Sequence, residues 1–297
     1  MQISVTISGL SRLFGDDLAA LVDVARLADD AGIHQIVMTD HLAIGPRTDR
    51  YPFAAKFPYP PHEPWPEPLT VLAAFAGATR NVRLGTGVLI GPARPALVVA
   101  KAVATLDVLS RGRVDLGIGT GWQREEFTDR GLPFVGRTAR MEDQVRACRA
   151  LWEREPPVTF HSDTVSFDEL WCEPRPVQAR LPIWFSGPAG PATVRRVTEL
   201  GDGWLPLAIP LDDVTATVEQ MRTAWRAAGR DPASLRVRQN LAVQTDDDGR
   251  VDLDATVAPV PDLAARGITT VSVALGRFLR GRADVEPFLR ELGGAFA

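Results

Sequence analysis

The chain has 297 residues, of which 45% are hydrophobic and 24% are charged, and its formal net charge is −4. This composition is that of an ordinary globular protein, and the mild acidity argues against nucleic acid or an anionic membrane as the main partner. No apolar run reaches the roughly 18–20 residues of a membrane span, and the opening MQISVTISGL lacks the features of a secretory signal, so we expect a cytoplasmic protein.

Short apolar runs alternate with amphipathic segments through the first half of the chain. The expected strands are 3–8, 33–41, 82–91 and 114–119. The expected helices are 14–32, 69–79, 96–110 and 137–153. Residues 42–68, between the second strand and its helix, are too rich in proline for a helix or a central strand and predict a long loop.

The second half repeats this alternation. The expected strands are 181–187, 203–208, 235–244 and 268–275, and the expected helices are 191–201, 211–229, 258–267 and 284–296. Eight strand–helix units in about 300 residues predict an α/β protein whose single domain, 1–297, is a closed (β/α)8 TIM barrel rather than an open sheet. Residues 158–179 fit neither period, and we expect an excursion there, such as a small hairpin, between units four and five.

Alternating glycines end the fourth strand, in GRVDLGIGTGW (112–122). In a barrel, function lies at the carboxyl ends of the strands, so this position is informative. A dinucleotide fingerprint is disfavoured, because the spacing is G-x-G-x-G and the next helix is delayed. Two explanations stay open: close packing within the barrel, or a flat ring lying against the backbone beside Trp122.

A second glycine-rich turn, FSGPAGPATVRR, follows the fifth strand. Ser186, Gly187 and Gly190 precede a helix that we expect to begin at Pro191. Free N–H groups at a helix N-terminus bind anions, and loops after late barrel strands often hold phosphate. The alternative is an ordinary turn before a helix.

Asp40 and His41 follow the second strand, in MTDHL. A histidine at the barrel mouth, with an acidic neighbour to fix its tautomer, predicts a proton-transfer role, and a purely structural histidine is the alternative. A metal pair is disfavoured, because no other histidine lies in a ligand spacing and the two cysteines form no CxxC motif. We therefore expect no metal site.

Three sequence blocks carry a family resemblance. They are EPLTVLAAFAGATRNVRLGTGVLIGPARPALVVAKAVATLDVLSRGRVDLGIGTGWQREEF (67–127), GRTARMEDQVRACRALW (136–152) and LPIWFSGPAGPATVRRVTELGDGWLP (181–206). In this order they resemble the bacterial luciferase-like monooxygenase superfamily, and most closely its branch of oxidoreductases that use the deazaflavin coenzyme F420. The resemblance implies a TIM barrel of the luciferase-like type and a homodimer.

The resemblance also assigns residues. It implies a non-proline cis peptide and a bulge at the end of the third strand, in LGTGVLI. The ring would lie against Thr86, Gly87, Val88, Gly119, Thr120, Gly121 and Trp122, and the phosphate against Ser186, Gly187, Pro188, Ala189 and Gly190. His41, with Asp40, would donate or accept a proton near the reacting carbon. Arg195 or Arg196 could grip the phosphate, or both could face solvent.

These assignments predict an enzyme that moves a hydride between F420 and a small, apolar organic substrate. Flavin-using luciferases tend to have a phosphate-binding arginine where this chain has Thr120, which favours F420 over flavin mononucleotide (FMN). The aromatic residues of the 42–68 loop would form a lid and apolar wall, or a rigid strap: Tyr51, Phe53, Phe57, Tyr59 and Trp65. The rival functions are a two-component monooxygenase using reduced FMN and O2, a non-enzymatic F420 or flavin carrier or sensor, and, more distantly, a metal hydrolase.

Overall fold

A closed barrel of parallel strands forms the centre of the protein, in a computed structural model that describes all 297 residues. The strands are β1 Gln2–Ile7, β2 Gln35–Met38, β3 Arg83–Thr86, β4 Leu89–Ile90, β5 Val114–Gly119, β6 Val158–His161, β7 Ser166–Leu170, β8 Ile183–Ser186, β9 Gly203–Leu205, β10 Arg236–Asn240 and β11 Thr270–Ala274. The order β3-β2-β1-β11-β10-β9-β8-β5-β4 closes on itself through a β3–β5 pairing. Since β3 and β4 are two parts of one barrel strand, the barrel has eight strands, and the predicted TIM barrel is confirmed.

Helices surround the barrel. They are α1 Leu10–Phe14, α2 Leu21–Asp30, α3 Pro68–Ala78, α4 Ala96–Ser110, α5 Glu125–Thr128, α6 Arg137–Glu153, α7 Pro191–Leu200, α8 Leu211–Ala227, α9 Leu253–Val257, α10 Val260–Ala265, α11 Leu275–Phe278 and α12 Val285–Ala295. None of them combines the length and the apolar character that crossing a membrane would require. The predicted excursion is confirmed as an antiparallel hairpin of β6 and β7.

Three of the predicted boundaries differ for local reasons. The expected helix 14–32 is shortened to α2, which begins only at Leu21, because the chain turns at Gly15, whose φ is 55° and ψ is −123°. The expected strand 82–91 is interrupted by a cis peptide between Gly87 and Val88, where the resemblance implied one. The expected helix 258–267 is the shorter α10, Val260–Ala265, and a separate helix, α9, precedes it at Leu253–Val257.

The two faces of the barrel strands differ in polarity, because successive side chains on a strand point to opposite sides. Side chains that face outward, such as Val5, Ile36 and Leu116, join one large apolar core with the helices. The interior of the barrel, called the lumen below, holds polar groups. Arg238 on β10 donates to Gln35 on β2 at 2.9 Å, and Gln35 donates to Asp115 on β5 at 2.7 Å. Because these strands are not neighbours, the bonds must cross the lumen.

Candidate active site

His41 lies at the barrel mouth, the opening at the carboxyl ends of the strands, and it pairs with a carboxylate from a distant part of the chain. Its Nδ1 is 3.2 Å from Oε1 of Glu126, on α5. The same oxygen accepts a bond of 2.7 Å from the amide of Leu42. Since a carboxylate only accepts hydrogen bonds, Nδ1 carries the proton of the neutral ring and Nε2 is left with a lone pair. Nε2 has no hydrogen-bond partner in the chain, and it is not fully enclosed, so it remains accessible.

Aromatic side chains enclose the imidazole edge-on. The ring centroid of His41 lies 4.7 Å from that of Trp65, 5.8 Å from that of Trp122 and 6.0 Å from that of Phe57. Tyr51 and Tyr59 extend this cluster across the 42–68 loop. The loop is anchored by Glu63, which accepts bonds from Leu10 and Ser11 at the start of α1. The loop therefore forms an apolar wall around the histidine.

Asp40 is engaged by other partners than His41. Its carboxylate accepts a bidentate pair of bonds from Arg94, at 2.6 and 3.0 Å, and a bond of 2.8 Å from the amide of Ile90. Burial lowers the pKa of Arg94, but the hydrogen bonds and charges of Asp40 and Glu67 outweigh burial and hold it above its ordinary value. The sequence predicted that Asp40 would orient the imidazole, but the carboxylate in contact with the ring is Glu126, whereas Asp40 fixes the end of β2 to β4.

The glycines at the end of β5 are explained by close packing. A methyl group on Gly117 would lie 2.0 Å from the carbonyl oxygen of Thr86, and one on Gly119 would lie 2.6 Å from Cγ2 of Val88. Gly121 has a φ of 70°, and a methyl group there would lie 2.8 Å from Ile90. The third barrel strand and its bulge fill the space that these side chains would need. Of the two explanations left open by the sequence, packing accounts for the glycines.

The bulge at Gly87 and Val88 is the part of the third barrel strand that faces the mouth. Gly87 and Val88 are half-buried, whereas the strands on both sides of them are buried. Thr86 is also buried, and its hydroxyl donates to the carbonyl of Gly117 at 2.6 Å, so the chain already uses it. Thr120 and Trp122 are half-buried next to the bulge. A flat ring at the mouth would therefore meet the Val88 side chain before it met the glycine backbone.

The turn Ser186–Gly190 leads into α7, whose first residue is Pro191, as expected. The amides of Gly187, Ala189 and Gly190 donate to no other group of the chain. The carbonyl of Gly187 accepts a bond of 3.1 Å from the indole of Trp204, which fixes the turn. The turn thus offers free N–H groups at the positive end of a helix, which is the arrangement that binds anions.

Arg196, rather than Arg195, lies beside this turn. Its side chain is 8% exposed, and its Nη1 is 3.7 Å from the point that a methyl group on Gly187 would occupy. Its Nε donates to Glu142 at 2.8 Å, and the rest of its guanidinium has no partner. Burial raises the pKa of Glu142, but the bonds from Arg195 and Arg196 outweigh burial and lower it. Arg195 bonds Glu142 and Glu199 from an exposed position.

Several buried polar atoms near His41 are not used by the chain. They are Oε2 of Glu126, Nε1 of Trp65 and both amide atoms of Gln123. Buried polar groups are normally hydrogen-bonded, so these enclosed atoms are exceptions within the wall of the barrel mouth. No cluster of three or more His, Cys, Asp or Glu side chains is arranged to hold a metal ion.

Sequence reasoning missed Glu126 and Arg94. Glu126 follows the glycine-rich strand by seven residues and lies in QREEF, a stretch too short to show helical periodicity. Its pairing with His41 joins residues 85 positions apart, which one sequence cannot reveal. The available signal was an acidic residue in the loop after β5, because all such loops meet at the mouth of a barrel.

Comparison with known proteins indicates one family. A sequence model described as luciferase-like monooxygenase matches residues 2–260. The uncharacterized protein Rv0953c of Mycobacterium tuberculosis is 30% identical over 281 residues, which are 92% of each chain. A phthiodiolone/phenolphthiodiolone dimycocerosates ketoreductase of the same organism is 34% identical over 246 residues, which are 77% of this chain and 62% of its own.

Solved structures share the fold. The monooxygenase RslO1 from Streptomyces bottropensis has a TM-score of 0.81 at 22% identity and 100% coverage of both chains. An F420-dependent secondary alcohol dehydrogenase, in complex with an F420-acetone adduct, has a TM-score of 0.78 at 18% identity, over 99% of this chain and 97% of its own. The FMN-bound oxygenating constituent of 3,6-diketocamphane monooxygenase from Pseudomonas putida has a TM-score of 0.65 at 18% identity, over 84% of this chain and 70% of its own. At these identities the likeness establishes the fold alone, a barrel of the luciferase-like type.

Proposed function

Because the chain belongs to the luciferase-like monooxygenase family, we propose that it is an oxidoreductase that transfers a hydride between coenzyme F420 and a small, apolar organic substrate. The observation that carries this proposal is the His41–Glu126 pair, which leaves Nε2 open inside an aromatic wall at the barrel mouth. An F420-dependent alcohol dehydrogenase among the structural neighbours and a ketoreductase among the relatives support a carbonyl or alcohol substrate.

The residues at the mouth fit such a cofactor in two respects. The free amides of Gly187, Ala189 and Gly190, together with Arg196, have the donor chemistry that a phosphate needs. The half-buried Val88 at the bulge offers an apolar contact for a flat ring. When bound, F420 would supply the hydride, and the protein would supply position, shielding and a proton.

His41 would carry the proton. Nε2 accepts it from a substrate alcohol, or the protonated ring donates it to a carbonyl oxygen. Glu126 holds Nδ1–H and stabilises the imidazolium, so that Nε2 faces the substrate. The aromatic wall limits the access of water and favours an apolar substrate. Asp40 acts as a positioning residue, because its bonds to Arg94 and Ile90 fix the backbone next to His41.

The direct test is a substrate screen with oxidised and reduced F420, followed by the absorbance of the ring. We expect F420-dependent turnover of small alcohols, ketones, imines or activated alkenes. A two-component monooxygenase is the second candidate, supported by the monooxygenases among the structural neighbours, and it predicts O2 uptake with reduced FMN. A carrier or sensor predicts tight binding of the cofactor without turnover of any substrate.

Glu126→Gln is expected to lower kcat about tenfold or more with little change in KM, because a neutral amide does not stabilise the imidazolium. Glu126→Asp, which keeps the charge, should recover part of the loss. Steady-state kinetics of the three proteins measure this difference. A higher KM and a lower thermal stability, without a specific fall in kcat, would mean that Glu126 only holds the loop.

Arg196→Leu is expected to weaken F420 binding about tenfold or more, because a charge-assisted bond to phosphate contributes roughly 1.5–3 kcal/mol. Arg195→Leu serves as the matched control, since Arg195 is exposed and bonds the same Glu142. A fluorescence titration of each variant gives the Kd. Equal effects of the two substitutions would argue against a phosphate at the Ser186–Gly190 turn.

We propose a homodimer that forms through the outer face of α3 and α4. A groove of about 760 Å³ lies there, lined mostly by apolar side chains that include Leu69, Val98 and Leu109. Val98 is 56% exposed and Leu109 is 57% exposed, although both are large aliphatic residues on the same helix. Leu109→Glu should halve the mass measured by light scattering, whereas Thr223→Glu on α8 should not. A wild-type mass of one chain would contradict the dimer.

We also propose that residues 1–297 form one domain. Strands β1 and β11, from opposite ends of the chain, pair directly within the barrel. A barrel that lacks either end would lose that closure, so the two halves depend on each other. Limited proteolysis should therefore give no stable fragment that contains only one half of the strands.

A further inference from the structure

Arg238 places a guanidinium inside the lumen, directly below the bulge. Its residue is 9% exposed, and its single hydrogen bond within the chain runs from Nη1 to Oε1 of Gln35, at 2.9 Å. A methyl group on Gly87 would lie 2.9 Å from Nη2 of Arg238. Nε and Nη2 of Arg238 have no hydrogen-bond partner, and neither nitrogen is fully enclosed. The guanidinium is therefore open to the lumen next to the cis peptide.

The charges around Arg238 do not balance. The carboxylate of Asp115 is the acidic group facing it across the lumen, and this carboxylate already accepts two bonds from Arg83 and one from Gln35. Arg236 lies 3.8 Å from the same carboxylate. The charge of Asp107 also acts on Arg83, so three guanidinium groups face two carboxylates, and of these only Asp115 acts on Arg238. His34 also faces Arg83, Arg236 and Asp115, and burial lowers its pKa below the ordinary value. Ser4 and Ser272 on β1 and β11 are neutral, and Glu126 at the mouth is paired with His41.

Arg238 nevertheless stays charged near neutral pH. Burial lowers its pKa to about 10, and the negative charge of Asp115 acts in the opposite direction. A buried cation without a bonded counterion is costly, so a protein gains from an anion that approaches it. The open side of this cation leads toward Gly87 and Val88, where the proposed ring would lie.

We propose that Arg238 is a cofactor-site residue whose fixed charge makes the mouth prefer the anionic form of a reduced ring. This inference rests on the proposed function. Reduced deazaflavin and reduced flavin are both weak acids, which lose a proton from the pyrimidine part of the ring to give a delocalised anion. At an effective dielectric constant of about 20, a unit charge within about 12 Å lowers such a pKa by about one unit or more.

The test measures the pKa of the bound reduced ring from its absorbance in an anaerobic pH titration. For the wild-type protein this pKa should lie below that of the free ring by about one unit or more. Arg238→Met should bring it back toward the free value, and Arg238→Lys should retain most of the shift. Arg236→Met is the matched control, because it removes an arginine that faces the same Asp115 from a more exposed position, and its effect should be smaller.

The outcomes separate this inference from the proposed function. A wild-type protein that binds the reduced ring without lowering its pKa overturns the inference and leaves the function intact. The same holds for a folded Arg238→Met protein whose bound ring titrates as in wild type. Because the first comparison needs no variant, a failure of Arg238→Met to fold does not remove the test. A protein that binds neither F420 nor FMN contradicts both proposals.

Discussion

Replacement of His41 by alanine is expected to lower kcat about 10²–10⁴-fold, which is the usual contribution of a positioned acid or base. The physical reason is that no other titratable side chain is held inside the aromatic wall with an open nitrogen. F420 binding should change little, because the phosphate turn and the bulge lie on other strands. Steady-state rates and a fluorescence titration measure the two quantities separately.

His161→Gln is the control for this experiment. His161 lies in the β6–β7 hairpin, where it contacts Ser166 and Asp168 at the surface. The His161→Gln substitution should leave kcat and KM unchanged. A His41→Ala protein that keeps its full kcat would show that the proton passes through another group, and the assignment of His41 would be wrong.

Gly117→Ala is expected to be the most destabilising single methyl addition near the mouth. The new Cβ would lie 2.0 Å from the carbonyl oxygen of Thr86, which is backbone and cannot rotate away. Overpacking of a rigid site costs typically 1–3 kcal/mol and sometimes more, and we expect about 3 kcal/mol or more here. In a chain of this size that corresponds to a fall in Tm of roughly 6 °C or more, measured at one heating rate.

Gly77→Ala provides the comparison, because Gly77 is exposed in α3 and a methyl group there would meet nothing within 4 Å. The substitution should stabilise the protein by about 0.5–1 kcal/mol through the lower flexibility of the unfolded chain and better helix propensity. Similar Tm values for the two variants would mean that the bulge can move away from β5, and the packing explanation for the glycines would fail.

The fold was accessible from the sequence because its pattern is local. Strand β5 and helices α4 and α6 begin and end at the predicted residues, since apolar periodicity and glycine or proline signals mark both ends of each. The helix expected over 14–32 begins only at Leu21, because the turn at Gly15 interrupts an otherwise continuous amphipathic pattern.

The candidate site was accessible only in part, because its contacts are non-local. Position at the end of a strand was enough to single out His41, but its partner could not be chosen between the adjacent Asp40 and the distant Glu126. The same limit applies to Arg238, which in the sequence is one of two arginines in RVRQN. Only the closure of the barrel shows that it points into the lumen rather than to solvent.

The most direct test of the central claim is a crystal structure of the protein with F420. The account predicts that the ring contacts Val88 at the bulge, that the phosphate lies on the Ser186–Gly190 turn beside Arg196, and that Nε2 of His41 faces the reacting carbon. A ring bound away from the mouth, or with its phosphate on another loop, would contradict the account.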